Sequence, residues 1–329
     1  MDILNIYHES IPAWILPALE APEMVRLQGV GMNCGCDYTQ FHAYRPVIPS
    51  SRWDHSIGVA LIVWHFTGDK QQTLSALFHD IASPVFAHVV DFLKGDHMTQ
   101  ESTEDGTCEI IRDSEIIQQV LCELDLTTED VRDYHRFPIA DNNAPQLAAD
   151  RLEYSCGNMV NYGYASVSQV RELFDDLTIG INEHGIEELM FRTPDTASRF
   201  SRLTLQCSRI YVSDEDRFAM QALADLLKDA LKDGLLAWSD LYTTESEVIR
   251  KLETSEKYRA RWAHFCSYGS VIRSDKPGQD GGWKKVPSKK RVIDPYVCNL
   301  GRVTSLDPDY ASDLRSFLDE SMDYWICGF

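Results

Sequence analysis

The sequence predicts a mostly α protein, with a helical core over residues 1–270 and a small C-terminal α+β or loop extension over residues 271–329. Three observations favour this fold class. Apolar residues recur at helical spacing through most of the chain, strand-like segments are few and short, and the residue pattern changes near residue 270. The chain is also long enough to bury a full hydrophobic core without disulfides.

Several helices are expected in the first half of the chain. The pattern predicts them over residues 51–66, 71–82, 84–93, 101–112 and 114–123. In the first of these, apolar residues recur at every third or fourth position, and a serine is in place to cap the start. Ser83-Pro84 has the pattern of an N-cap followed by proline at the first helical position, so we expect it to open the third helix.

The second half continues the helical pattern, with two short interruptions. Helices are predicted from Pro145 to about Met159, over residues 215–240 and over residues 243–267, and strands near residues 187–192 and 204–211. Residues 273–291 combine glycines and prolines with a basic group, which is typical of a loop or hairpin; the group consists of Lys284, Lys285, Lys289, Lys290 and Arg291. These basic residues either reach a substrate phosphate or are paired at the surface. A short acidic helix is expected after Pro308.

The acidic balance of the chain limits its partners. There are 31 Lys and Arg against 51 Asp and Glu, a formal charge of −20. Such a charge repels long nucleic acids and anionic membranes, so neither is an expected partner. A small anionic substrate would need a metal ion or a local group of basic side chains.

The cysteines and the N-terminus indicate a compartment. The 9 cysteines form no dense framework, which favours free thiols in a reducing environment. No signal-peptide pattern opens the sequence, and no apolar run has the length of a membrane span. We therefore expect a cytoplasmic location.

Three short segments place histidine or acidic residues inside apolar helical patterns, where an unpaired polar group is costly. They are Arg52-Trp53-Asp54-His55, His79-Asp80, and Asp150-Arg151 with Tyr154. Each segment alone has an ordinary explanation, namely a core histidine, a chance pair or a surface ion pair. Two imidazoles and two carboxylates together suit a divalent metal ion such as Fe, Mn, Zn, Co or Mg.

In order and spacing, these segments resemble the motif of the HD-domain metal-dependent phosphohydrolases. Further matches extend the resemblance to the deoxynucleoside triphosphate triphosphohydrolase branch of that superfamily. The matches are Met24-Val25-Arg26-Leu27, Arg52 to Gly58, Phe86-Ala87-His88, Asp91 and Tyr154. The resemblance implies an HD-domain helical core, and it makes His55, His79, Asp80 and Asp150 the metal ligands.

The resemblance also implies a chemistry. A metal ion at such a site polarises a phosphoryl oxygen and lowers the pKa of bound water. Arg26, His88 and Tyr154 match positions that contact phosphates or the adjacent sugar, and Arg52 is assigned with them because a guanidinium binds phosphate oxygens in pairs. The expected partner is a small phosphorylated substrate, a nucleotide or a related ester. Relatives in this branch form oligomers, so a homo-oligomer is also an expectation.

Two positions depart from the branch. Ser83 and Gln100 stand where the branch carries histidines that are thought to form, with an acid at Asp91, its proton-transfer group. Neither side chain replaces an imidazole, because neither titrates near neutrality. Asp91 is retained and Glu101 is a candidate substitute, so we expect these two carboxylates to assist proton movement.

The sequence therefore predicts an enzyme, a metal-dependent phosphohydrolase that acts on a nucleotide or a related small phosphate ester. The alternative is an HD-domain protein that binds a nucleotide and a metal ion and regulates a partner without hydrolysis. The loss of the two histidines motivates this alternative.

Overall fold

The computed structural model describes residues 3–45, 48–94, 106–279 and 281–329. The fold is mostly α, as predicted: the protein is 57% helical, with 17 α-helices among the described residues and a few small strands. No helix in these ranges combines the length and the apolar character needed to cross a membrane.

Ten of these helices precede residue 162. They are α1 (Leu4–Tyr7), α2 (Leu16–Leu19), α3 (Pro22–Val25), α4 (Arg52–Thr67), α5 (Lys70–Phe78), α6 (Val89–Lys94), α7 (Thr107–Asp113), α8 (Glu115–Glu123), α9 (Thr128–Val131) and α10 (Ala149–Asn161). The later helices are α11 (Val167–Asp175), α12 (Pro194–Ile210), α13 (Asp214–Lys232), α14 (Glu245–Glu253), α15 (Glu256–Ser267), α16 (Val303–Leu306) and α17 (Pro308–Asp319).

The strands form two small sheets. They are β1 (Leu177–Ile181), β2 (Glu187–Phe191), β3 (Val271–Ser274), β4 (Tyr296–Val297), β5 (Gly301–Arg302) and β6 (Trp325–Gly328). The first sheet has the order β1-β2-β4-β5, antiparallel except for the parallel pair β2 and β4. The second pairs β3 with β6 in antiparallel fashion. The first sheet therefore joins the C-terminal segment to the strands that follow α11.

Helix α4 lies in the interior of the protein. Ser51 and Asp54 form a capping box at its start, and Gly68 with φ of 61° ends it in the left-handed conformation. Side chains on every face of the helix are buried, which explains why its apolar residues are not confined to one stripe. It packs against α5 and α10, so the first turns of α4 and α10 and the end of α5 lie near one another.

Two groups of buried apolar residues form the core. One contains residues of α4, α5, α10, α11 and α12, and the other is built mainly on α13, α14 and α15. The C-terminal segment contributes to both, with Tyr310 and Phe317 in the first and Val286 and Ile326 in the second. The division at residue 270 stays a prediction.

Several predicted elements need correction. Residues 204–211 are not a strand, because Phe200, Thr204 and Ser208 continue the buried face of α12 at helical spacing. Residues 84–88 are turns with positive φ at Phe86 and Ala87, so a helix begins only at Val89.

Four predicted helices also differ in extent, and the one predicted over residues 71–82 ends at Phe78. The helix predicted from Pro145 begins at Ala149, the one predicted over residues 215–240 ends at Lys232, and residues 243–267 form two helices. Gly234 with φ of 73° follows the end of α13, where a left-handed glycine closes a helix. The helix predicted over residues 101–112 lies partly outside the described residues.

Candidate metal centre and its cavity

Three helices bring the predicted metal ligands together. His55 lies in the first turns of α4, behind the capping box at Ser51. His79 is the C-terminal cap of α5 and Asp80 follows in the turn, while Asp150 lies in the first turn of α10. The packing of these helices thus places four side chains of the motif at one point.

Their ligand atoms converge. His55 Nε2 lies 3.2 Å from His79 Nε2, 3.1 Å from Asp150 Oδ1 and 3.8 Å from Asp80 Oδ2. His79 Nε2 lies 3.5 Å from Asp80 Oδ2 and 4.0 Å from Asp150 Oδ1. The two histidines and Asp80 are buried, whereas the Asp150 side chain is 22% exposed. In the described parts of the chain, His55, His79 and Asp80 are the one group of three such side chains with convergent ligand atoms.

Hydrogen bonds turn both imidazoles toward this point. His79 Nδ1 donates to the carbonyl oxygen of Ala76 at 2.7 Å, so the neutral ring carries no proton on Nε2. His55 Nδ1 lies 2.5 Å from Glu153 Oε2. A Cβ at Gly58 would lie 2.6 Å from Glu153 Cγ, so the glycine gives this carboxylate the room it occupies. Both Nε2 atoms therefore face the carboxylates.

Glu153 was missed by the sequence reasoning. It lies between the two motif residues Asp150 and Tyr154 on α10, and its buried carboxyl reaches back to α4. The signal that could have found it is an acid inside a segment already assigned to the site, three residues after the predicted ligand Asp150 and thus on a neighbouring helical face.

The charges at this point favour a cation. Burial lowers the pKa of His55, but the hydrogen bonds with Asp150 and Glu153 outweigh it and raise the pKa to about 10. Burial raises the pKa of Asp80, but the charges of Arg52 and the two histidines hold it well below its usual range. The cluster therefore stabilises positive charge at His55 Nε2.

The donor set fits a divalent metal ion. Ligand atoms about 2.1 Å from one ion lie about 3 Å apart at right angles, close to the separations found here. Two imidazole nitrogens with two carboxylate oxygens suit Fe, Mn, Zn or Co, and the carboxylates suit Mg.

The cluster opens into a cavity of about 620 Å³, a size that accommodates a small-molecule ligand. Both halves of the chain contribute to its lining. Beyond the cluster, the lining residues include Cys34, Tyr44, Arg52, His88, Arg151, Tyr154, Asn158, Tyr162, Tyr211, Asp216, Met220, Lys289 and Arg291.

Three of the predicted substrate-binding residues line this cavity, namely Arg52, His88 and Tyr154. Arg52 Nη1 donates to Asp80 Oδ2 at 2.6 Å. Burial lowers the pKa of His88 and the charges of Arg291 and Arg52 add to this, against the hydrogen bond with Asp91. His88 is thus held in its neutral form beside the cations that face the cavity.

Asp91 and Ser83 lie beside the cavity residues. Asp91 is fully buried, and His88 Nδ1 lies 3.0 Å from its Oδ2, so it reaches the cavity through that ring. Ser83 Oγ donates to Asp80 Oδ1 at 2.7 Å, so the serine orients a carboxylate of the cluster and caps no helix. Glu101 and Gln100 lie outside the described residues.

Arg26 is placed differently from the expectation. Its Nη2 donates to the carbonyl oxygens of Ile81 and Ser83 at 2.9 and 2.8 Å, and its Nη1 donates to Thr243 at 3.2 Å. The guanidinium therefore supports the turn that carries Asp80 and is not among the residues that line the cavity. Its phosphate contact stays a prediction that its position does not favour.

The basic residues of the C-terminal segment divide into two groups. Lys284 and Lys285 pair with Asp225 and Asp323, and Lys290 donates to backbone carbonyls. Lys289 and Arg291 line the cavity, and Arg291 Nη2 lies 3.4 Å from His88 Nε2. Pairing therefore accounts for Lys284, Lys285 and Lys290, whereas a phosphate contact of Lys289 and Arg291 stays a prediction.

Known proteins were compared with the chain. No protein-family model matches it. An uncharacterized protein of Bacillus subtilis, YdhJ, is 26% identical over 251 residues, 75% of this chain and 74% of that protein. The metal-dependent phosphohydrolase cns2 of Cordyceps militaris is 24% identical over 233 residues, 68% of this chain and 61% of that protein, so less than two thirds of it is matched.

Two solved structures share the fold. A hypothetical protein from Aquifex aeolicus has a TM-score of 0.66 at 15% identity and covers 97% of this chain and 93% of its own. A phosphohydrolase from Bacteroides thetaiotaomicron has a TM-score of 0.64 at 12% identity, with 97% and 96% covered. This likeness shows a shared fold, and the metal-dependent phosphohydrolase among the sequence relatives supports an HD-like superfamily.

Proposed function

We propose that this protein is an HD-domain metal-dependent phosphohydrolase, of the triphosphohydrolase-like branch, whose substrate is a nucleotide or a related small phosphate ester. One observation carries the proposal: the ligand atoms of His55, His79, Asp80 and Asp150 converge at the wall of a cavity. A metal-dependent phosphohydrolase among the sequence relatives supports the reaction class.

In this proposal the four converging side chains hold a divalent cation. The cation supplies Lewis acidity toward a phosphoryl oxygen and toward water. Glu153 fixes the ring of His55 from behind, and Ser83 and Arg52 each bind one oxygen of Asp80. These contacts keep the donor atoms oriented before any substrate arrives.

The same wall binds the phosphate end of the substrate. Arg52 and Arg291 present guanidinium groups to the cavity, and a guanidinium binds phosphate oxygens through two parallel N–H donors. Tyr154 follows Asp150 by one helical turn and lines the same cavity, so in this proposal its hydroxyl reaches the substrate beside the cluster. The phosphate is thus held by cations within a protein of negative overall charge.

His88 and Asp91 provide a site for a proton. Asp91 accepts at Nδ1 of His88, which leaves Nε2 toward the cavity beside Arg291. With its Nδ1 proton donated to Asp91, the neutral imidazole has a lone pair at Nε2, which can take up the proton that the attacking water loses and then release it to the leaving oxygen. Glu101 is kept in the proposal as an assisting acid on the strength of its sequence position alone.

The test uses the purified full-length chain and the variant Asp80→Ala. We expect the wild type to retain a divalent metal in elemental analysis and to release phosphate, pyrophosphate or triphosphate from members of a nucleotide panel with Mn, Fe or Co. Asp80→Ala should lose both properties, since it removes one ligand and the partner of Arg52. Asp323→Ala, which alters an exposed ion pair with Lys285, is the matched control.

Two outcomes would overturn the proposal. If the wild type retains no divalent ion, the cluster is only a buried ion-pair network. If metal and nucleotide bind tightly but no bond is cleaved under any metal, the protein is a regulator, an alternative that the comparisons do not favour.

A further inference from the structure

A second group of side chains faces the same cavity and includes no metal ligand. It consists of Tyr44, Tyr162, Tyr211, Asp216 and Met220, which we call the tyrosine subsite. Three of its members follow or lie on α12 and α13, in a region to which no sequence motif assigned a role. The ring centroids of Tyr44 and Tyr162 lie 6.5 Å apart in an edge-to-face arrangement. Aromatic and thioether surfaces of this kind pack well against a flat ring.

Asp216 gives the subsite its polarity. Its Oδ2 accepts from the Tyr44 hydroxyl at 2.5 Å and from the Cys36 thiol at 3.9 Å. In the described residues no hydrogen bond reaches the other carboxylate oxygen of Asp216, Oδ1. This oxygen is not fully buried by protein atoms. Since Asp216 lines the cavity, this oxygen is open to a ligand there.

No cationic side chain of the described residues forms an ion pair with this carboxylate. The neighbouring Arg217 directs its guanidinium to Asp214, Tyr324 and backbone carbonyls. The charge of Arg291 acts on Asp216 only from farther away, as a minor influence on its pKa. A carboxylate in this setting is best satisfied by a donor that the ligand brings.

We propose that the tyrosine subsite binds the organic part of the substrate as a flat heterocycle whose amino group donates to Asp216 Oδ1. The inference rests on the proposed function in one respect: the phosphate of the substrate is taken to bind at the end of the cavity where the metal cluster lies. The tyrosines and Met220 can pack against many flat rings, so the carboxylate of Asp216 determines which of these rings binds most tightly. An ionised carboxylate accepts hydrogen bonds and donates none, so it favours an amino group over a carbonyl at the same ring position.

The test uses nucleosides as probes, because they carry no phosphate and cannot be hydrolysed by the proposed reaction. Dissociation constants of the full-length protein are measured by NMR or calorimetry at pH 8 for two pairs, adenosine with inosine and cytidine with uridine. In each pair we expect the amino member to bind about tenfold more tightly, the effect of one hydrogen bond to a charged group.

Two variants of Asp216 sharpen the test. Asp216→Ala should remove the preference, and Asp216→Asn should reduce it because an amide can present either its oxygen or its amino group. Glu245→Gln is the matched control: this buried carboxylate binds Tyr38 and the amide of Gly31 and does not line the cavity, so the preference should persist.

Equal affinities within both pairs, or a preference that survives Asp216→Ala, would overturn the inference. Metal content and hydrolysis are measured on the same preparations. If the amino preference is present but no ester is cleaved, the proposed function fails and the subsite stands. If esters are cleaved without any amino preference, the subsite fails and the proposed function stands.

Discussion

The two walls of the cavity differ in how many of their polar atoms already have hydrogen-bond or ion-pair partners within the protein. On the metal wall, Nε2 of His55 and Nε2 of His79 each lie within 4.0 Å of a carboxylate oxygen of Asp80 and of Asp150, and further hydrogen bonds hold the histidines and Asp80. On the tyrosine subsite, a carboxylate faces the cavity, and within the described ranges only Tyr44 and Cys36 are its side-chain hydrogen-bond partners. The first wall is set before a ligand arrives, whereas the second leaves an acceptor for the ligand to satisfy.

This difference suggests separate roles for the two walls, with the reaction at the metal wall and the choice of substrate at the tyrosine subsite. A metal cluster needs few residue types at fixed positions, so its requirements leave a pattern along the chain. A ring-binding surface needs only shape and one or two polar atoms, which many residue combinations provide. The two walls should therefore respond to different substitutions and different measurements.

The largest effect is expected on the metal wall from Glu153→Gln. The amide keeps the size of the side chain, but its oxygen carries no negative charge and its amino group can take the place of that oxygen, so the ring of His55 is held less firmly. Metal affinity should fall by about 10- to 100-fold, as found for partners of metal-binding histidines. Competition titration with a chelator measures it, and Glu245→Gln should leave it unchanged.

Arg291→Ala should affect substrate binding and leave the metal in place. The arginine faces the cavity beside His88, so its loss removes one cationic contact to the phosphate and should raise KM about tenfold. Lys285→Ala, from the same basic segment but paired with Asp323 at the surface, should leave KM unchanged. A loss of bound metal in Arg291→Ala would mean that the two ends of the cavity are not separable as described.

The smallest effect is a pH dependence confined to the tyrosine subsite. Burial raises the pKa of Asp216 to about 7, against the hydrogen bonds from Tyr44 and Cys36 and the charges of Arg217 and Arg291. Below pH 7 the protonated carboxyl can donate to a ring carbonyl, so the amino preference should decrease a few-fold between pH 8 and pH 6. In Asp216→Ala the ratio of affinities should be flat across this range.

The residues of the metal wall were singled out by their order and spacing, which resemble the motif of the HD-domain phosphohydrolases, and their role as ligands stays a prediction. All four were expected on helices, but His79 caps the end of α5 and Asp80 lies in the following turn, while the capped helix α4 begins where the serine pattern indicates. The position of Arg26 could not be predicted, because its carbonyl partners come from the turn after α5 and from Thr243, far along the chain.

Other failures have the same physical origin. Ser83-Pro84 has the local pattern of a helix start, but the serine hydroxyl binds Asp80 and the chain continues in turns. Tyr211 is the last residue of the segment 204–211 that was predicted as a strand, and it is in fact the C-terminal cap of α12. Tertiary contacts determine the structure in both cases, and the local conformational preference of the residues does not predict those contacts.

The most direct test of the central claim is a crystal structure of the wild-type chain grown with Mn²⁺, with the anomalous signal of the ion recorded. The account predicts an anomalous peak within about 2.3 Å of Nε2 of His55 and His79 and of one carboxylate oxygen each from Asp80 and Asp150. A cluster whose Nε2 atoms and carboxylates bind each other or water while manganese lies elsewhere, or binds nowhere, would contradict it.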